Sequence, residues 1–493
     1  MAMVAVLLVL VLGASALLLQ RLNKTNPAQE DIRQTMTALA EAKAALISYA
    51  VTYYAEHPGE LGFLPCPDLG VDAVTEGGQH GVCGSRYVNS LGRFPWESLG
   101  LSPLRDGSGE CLWYAVSGGY KQGGSAKGEM LNEDTNGQFQ VYVEAGRSTA
   151  LGDSPADRAV AVIMAPGSAL DGQDRSAQET GVAICGGNYL APNYLDCLDL
   201  DDGEPCDQAT ENAIDNAAIS DQGDTVDRFV AAQKASDATN DRIIFITRAE
   251  LAEAVHRRRD LPLKLFQDPS EGSDPETVNL TRAVAECLGE YARETHGSLP
   301  FAAPVKLEDY RDDGAYKDAV NRLAGRLPWL VGASTDLAGA ARTSLFGLSE
   351  DDLGPCTVWT EEHARLWTHW KDHLFYAVSA AHRPKGGREE PPLCSEVDCF
   401  SVGRAGPYAA VVIFAGPRLA GQSRDAPPLD PDRRKWLGNY LEGIKGINRV
   451  THSVGRGVGE YISGDPDVSP EAEAANNDVL YCIEPLTFNV VRC

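Results

Sequence analysis

The chain opens on an uncharged run, Met1 to Leu19, and an amphipathic pattern follows almost at once. A run of this length is what a helix needs to span a hydrocarbon core of roughly 30 Å. Beyond it, Ile32, Met36, Leu39, Ala42, Leu46 and Tyr49 recur at steps of three or four. That spacing predicts a helix with one apolar stripe, built to pack beside other helices. Leu8 and Leu10 in the run, with Ile32, Met36, Leu39 and Leu46 in the stripe, form the expected assembly helix. Short β-rich runs come next: Leu112–Val116, Gln140–Glu144, Val160–Met164 and Ile243–Thr247. Gln138–Glu144 alternates with period two, as a half-buried antiparallel strand does, and the continuous apolar runs predict central strands. A seam rich in Pro, Asp, Ser and Gly, Leu261 to Asp274, precedes a second helical pattern from Val278 to Ala292.

The pattern repeats. Gly92-Arg93-Phe94-Pro95-Trp96 matches Gly325-Arg326-Leu327-Pro328-Trp329, and Leu112–Ser117 matches Leu374–Ser379. Ala161–Ala165 aligns with Val411–Ala415, each followed by Gly-Gln-x-Arg at Gly172–Arg175 and Gly421–Arg424. Asn188-Tyr189-Leu190 aligns with Asn439-Tyr440-Leu441, and Asn240–Ile246 with Asn477–Ile483. Five blocks in one order read as two copies of one domain. The expected division is 1–26 for a membrane or filament-core helix, 27–262 for copy one, 263–277 for a linker and 278–493 for copy two. Each copy is expected to be α+β, a long helix on an antiparallel sheet.

A formal net charge of −27 argues against nucleic acid or an anionic membrane surface as partner. The 12 cysteines include no Cys-x-x-Cys, so zinc spacing is absent and disulfides in an oxidising compartment are expected. Short loops favour Cys197–Cys206 and Cys394–Cys399; Cys66–Cys83 and Cys482–Cys493 are further pairings. Ala14-Ser15-Ala16 offers a competing signal-peptidase reading of the apolar run. Arg21 and Lys24 would keep the following chain in the cytoplasm by the positive-inside rule. A short basic leader cleaved before Met1 would remove that conflict.

With these residues in view, the chain resembles the type IV pilin and type II secretion pseudopilin superfamily. The resemblance rests on the apolar helix and its amphipathic extension, on Gly13 and Pro27, and on the order Gly92–Trp96, Asp106-Gly107-Ser108-Gly109, Leu112-Trp113-Tyr114. It implies a structural, non-enzymatic filament subunit. Such a subunit is held by one pass in the inner membrane before assembly and then lies in a periplasmic or extracellular filament. Its partners would be other pilin-like subunits, met through the N-terminal helix. Ala5 stands where the family's major subunits carry glutamate, and the processing motif is absent, which points to a minor or tip subunit. The alternative is an exported adhesin or ligand-binding surface protein.

Candidate chemistry is sparse. Asn132–Gly137 alternates oxygen ligands before a glycine, so Asp134 and Asn136 are calcium candidates, although Val143 stands where an EF-hand needs glutamate. Asp199 and Asp201, in the acidic stretch Asp196–Asp207, are two more; the plain readings are a polar turn and a solvated acidic loop. His363, His369 and His373 suggest zinc, but Trp370 replaces the glutamate a zincin needs. No nucleophile elbow or phosphate loop occurs, and no cofactor other than calcium is expected. Trp96/Trp329 and Trp113/Phe375 recur between copies, as rings filling the space between helix and sheet would.

Overall fold

The computed structural model describes residues 27–70, 75–85, 87–121, 130–143, 148–176, 184–199, 213–223, 225–232, 234–258, 260–268, 278–332, 342–347, 356–385, 389–425, 432–442, 447–465 and 475–493. Helix α1 spans Pro27–Thr52 among the described residues. Leu39, Ala42, Leu46 and Ala50 are buried on the sheet, while Ile32 and Met36 are 51% and 48% exposed. The first half continues with β1 (Ser90–Arg93), β2 (Trp113–Val116), β3 (Phe139–Val143), β4 (Ser148–Leu151), β5 (Ala159–Ala165), β6 (Cys197–Asp199), β7 (Ala213–Asp215), β8 (Asp227–Ala231) and β9 (Arg242–Thr247). Helices α2 (Arg248–His256) and α3 (Asp260–Leu265) close it. Strands β1, β2, β5 and β9 pair antiparallel in that order; β3 joins β5 at Phe139↔Ala159 and pairs in parallel with β8.

The second half begins with α4 (Leu280–Glu294), followed by β10 (Ala324–Arg326), β11 (Leu330–Val331) and β12 (Thr343–Ser344). Then come α5 (Glu361–Trp370), β13 (Leu374–Val378), β14 (Phe400–Val402), β15 (Ala405–Tyr408) and β16 (Ala410–Phe414). Helix α6 (Ile447–Val454), β17 (Gly459–Tyr461), β18 (Val479–Ile483) and β19 (Val490–Arg492) complete the chain. Its main sheet runs β10-β13-β16-β18-β19, and β14 pairs in parallel with β17 in a separate sheet.

This is not the expected plan of a pilin-like helix on an antiparallel sheet followed by a tandem copy. The fold is mixed α/β: the described strands form five sheets, and two of these contain parallel pairs. The helix covers only one face. On the other, Trp113, Val162 and Met164 pack under Tyr194 and Phe229, and Phe375, Val411 and Ile413 pack under Tyr440 and Tyr461. Both faces being covered explains the continuous apolar runs. The runs say nothing of strand direction or of the second covering layer, which is why the sequence reading missed them. The expected single pass through an inner membrane is also corrected. Among the described residues no helix is long and apolar enough to cross a membrane. Residues 1–26, with Leu8 and Leu10, lie outside the described residues.

The matched blocks shift when read from hydrogen bonds. Tyr114 pairs with Ile163, and Tyr376 with Val412. Ile163 is therefore the counterpart of Val412. Val162 lies on the opposite face, because a one-residue slip reverses every side chain. The counterpart of Asn439-Tyr440-Leu441 is the second such tripeptide, Asn193-Tyr194-Leu195: Tyr194 and Tyr440 each follow a short 3-10 turn, and Arg175 and Arg424 donate to the Asn193 and Asn439 carbonyls.

Disulfides join Cys66–Cys83, Cys394–Cys399 and Cys482–Cys493, and also Cys111–Cys185 and Cys287–Cys356, two pairings that short-loop reasoning could not reach. Cys206 lies outside the described residues, so its expected bond to Cys197 does too. The bonds favour an oxidising compartment.

Candidate functional site

Two motifs that look unrelated in sequence meet in space. The Asn132–Asn136 turn of the first half docks against α5 and the start of β13 in the second. Leu131 N–H donates to His369 Nδ1 at 3.1 Å, and Asn132 Nδ2 donates to the His369 carbonyl at 2.8 Å and to Asp372 Oδ1 at 3.1 Å. Next to it Glu133, Asp134 and His373 bring potential ligand atoms within 4.8 Å of one another.

Guanidinium groups fill this cluster. Arg424 Nη1 lies 3.2 Å from Asp134 Oδ2 and 2.9 Å from His373 Nε2, and Arg418 Nε lies 2.8 Å from Asp134 Oδ1. Arg248 donates to the Asn136 side chain. Asp134 and Asn136, the calcium candidates of the sequence, are thus partners of arginines here. Burial works against charge on His373, but Asp372 at 3.0 Å and Asp134 at 3.1 Å outweigh it and lift its pKa to about 9. Burial likewise opposes charge on Glu133 and Asp134, yet His256 holds the first carboxyl low and Arg424 and His373 hold the second lower still. The result is a buried, charge-compensated joint between halves.

The three histidines have separate tasks. His363 closes a capping box with Thr360 at the start of α5, and burial lowers its pKa to about 4. His369 accepts from the Leu131 amide, and His373 is the hub of the joint. They do not form a zinc site. Asp199 ends β6, and Asp201 lies outside the described residues. The recurrent rings also move: Trp113 and Phe375 face away from the helices and clamp buried Arg93 and Arg326 against Tyr194 and Tyr440. Trp96 and Trp329 pack on the helix side.

An open groove of about 760 Å³ lies in the second half, between the Val320–Ala324 segment, the Lys435–Gly438 turn and α6. Val320, Trp436, Val450 and Val454 line it and are 52% to 61% exposed. Arg322, Lys435 and Arg449 stand among them, and among the described residues no carboxylate lines the groove. His452 forms its inner wall, held neutral by burial, with Nε2 2.9 Å from the Gly325 carbonyl and Nδ1 3.2 Å from Tyr461 Oη. Sequence reasoning missed the groove. Its signal was α6 itself, where Val450 and Val454 stand four residues apart beside Arg449.

Comparison with protein families, curated proteins and solved structures finds no match to this chain.

Proposed function

We propose that this chain is a disulfide-braced binding protein of an oxidising compartment, acting through the groove and not through catalysis. One observation carries the reading: three cations and four exposed apolar side chains share a groove that no carboxylate lines among the described residues, on a chain of net charge −27. Exposed apolar side chains gathered in one place mark recognition surfaces. Arg and Lys beside an aromatic face suit an anionic ligand with a ring or apolar part, such as an acidic polysaccharide. Dextran sulfate and neutral dextran are suitable probes. Dextran sulfate should bind with an affinity that falls as salt rises, and neutral dextran should not. Arg449→Glu with Arg322→Glu should weaken binding at least about tenfold, or about 1.4 kcal/mol. Undiminished binding by that double variant would remove the groove from the reading.

A second reading, a filament subunit assembling through its N-terminal helix, is favoured by Ile32 and Met36, which stand exposed one turn apart on α1. Light scattering of Ile32→Asp/Met36→Asp against the wild type tests it. An unchanged assembly state would count against it.

A further inference from the structure

Each half carries the same buried clasp of two acidic residues. In the first, Asp196 N–H donates to Asp241 Oδ2 at 2.8 Å and Asp241 N–H returns a bond to Asp196 Oδ2 at 2.6 Å. In the second, Glu442 N–H donates to Asp478 Oδ2 at 2.9 Å and Asn477 N–H to Glu442 Oε2 at 3.4 Å. An asparagine completes each. Asn216 Nδ2 reaches Asp241 Oδ2 at 2.8 Å and the Val230 carbonyl at 2.9 Å, and its oxygen accepts from Val230 N–H at 2.7 Å. Asn448 makes the same three bonds to Asp478 and Ile462, each at 2.8 Å.

The clasp lacks a donor. Asp241 Oδ1 and Asp478 Oδ1 are buried without a hydrogen-bond partner. The Glu442 and Asp478 carboxyl groups lie within hydrogen-bonding reach of each other. Around the second clasp stand Arg424, Tyr461, Gln422 and Asn448; Arg424 is the charged neighbour, and it is already bound to Asp134 and to the Gly416 and Asn439 carbonyls. Arg175 stands near the first clasp and donates to the Gly167 and Asn193 carbonyls. Two touching carboxylates in such a place cannot both ionise cheaply. Calcium would want six to eight oxygens, and the inner Oδ2 atoms are already committed to N–H donors.

We propose that the second clasp holds one proton shared between its two carboxyl groups and, through Asn448 on α6, makes the groove open to regulation by pH. Asn448 lies in the first turn of α6, and Arg449, Val450, His452 and Val454 of that helix line the groove. The proton supplies the donor that Asp478 Oδ1 lacks. Burial and mutual repulsion push Glu442 and Asp478 upward, in the sense the geometry requires. A raised carboxyl stabilises the fold fully below its unfolded value, and that contribution is lost as pH rises through the folded one. The groove should therefore loosen in alkali. The proposal rests on the groove reading for its use, but its test needs no ligand.

Infrared spectra of the full chain in D₂O should show the carbonyl stretch of a protonated carboxylic acid near neutral pH, lost on raising the pH. Glu442→Gln should remove it. Hydrogen exchange of residues 447–454, corrected for intrinsic rate, should lose at least about tenfold protection between about pH 7 and about pH 10 in the wild type. Glu442→Gln, which carries a permanent donor, should lose far less. Absence of the band in the wild type overturns the shared proton, and this measurement decides even if a variant folds poorly. An α6 response to pH that is identical in Glu442→Gln overturns the regulation. Calcium taken up by the wild type and not by Glu442→Gln would reassign the second clasp as a cation site.

Discussion

His373 is charged because three carboxylates, Asp372, Asp134 and Glu133, surround it, and that makes the joint between halves sensitive to pH. Its folded pKa, about 9, stands above the unfolded value of roughly 6.5. Its contribution is therefore complete below about pH 6.5 and fades as pH rises through about 9. The shift corresponds to about 3 kcal/mol at the alkaline end. Urea unfolding should show that loss in the wild type, and His373→Gln should show a smaller pH slope with lower stability at neutral pH. Arg424 is the other key residue. It touches Asp134 and His373, and its Nη atoms donate to the Gly416 carbonyl at 3.0 Å. Arg424→Gln would leave Asp134 buried with one fewer cation. A cost of about 3–5 kcal/mol in chemical denaturation is expected. A loss under about 1 kcal/mol would show that Arg418 alone compensates Asp134.

At the scale of elements, α1 separates packing from surface along a single stripe. Leu39 and Leu46 are fully buried against the sheet, whereas Ile32 and Met36 face out. Leu39→Ala or Leu46→Ala should cost about 2–5 kcal/mol, and Ile32→Ala or Met36→Ala within about 0.5 kcal/mol, read from urea midpoints. The stripe was legible because helical period is local. So were the apolar strands. The alignment of Val162 with Val412 slipped by one residue because Ala161–Ala165 and Val411–Ala415 are apolar throughout and carry no alternation to fix their phase. Two adjacent Asn-Tyr-Leu tripeptides, at Asn188 and Asn193, left the counterpart of Asn439 open to the same error. The joint was half legible: Asn132–Asn136 and the histidines stood out, but their meeting across more than 230 residues is a tertiary fact. Nothing local announces that Arg418 and Arg424 meet Asp134.

On the scale of the whole molecule, the two halves share one core. Tyr54, Leu61 and Val255 of the first half, with Leu261, Leu265 and Phe266 of the connection, lie in the same buried cluster as Val284, Leu288 and Trp367 of the second. Lys264 Nζ reaches Glu362 Oε1 at 2.9 Å, and Arg365 donates to the Pro58 carbonyl at 3.1 Å. Continuous apolar burial couples unfolding, since parting the halves would expose these side chains to water at about 25 cal/mol per Å². The Cys287–Cys356 bond, closing 69 residues, adds about 4 kcal/mol through loop entropy within the second half. A fragment of residues 260–493 keeps α3, and with it Leu261 and Leu265, so it should unfold at higher urea than a fragment of 278–493. Both should be less stable than the whole, because each loses Asn132, Asp134 and Tyr54 from the joint. Calorimetry of the intact chain should accordingly show one cooperative transition, with a calorimetric enthalpy equal to the van't Hoff value. Two resolved transitions, the second matching the 278–493 fragment, would mean that the shared core does not couple the halves and that the buried charges only decorate a boundary.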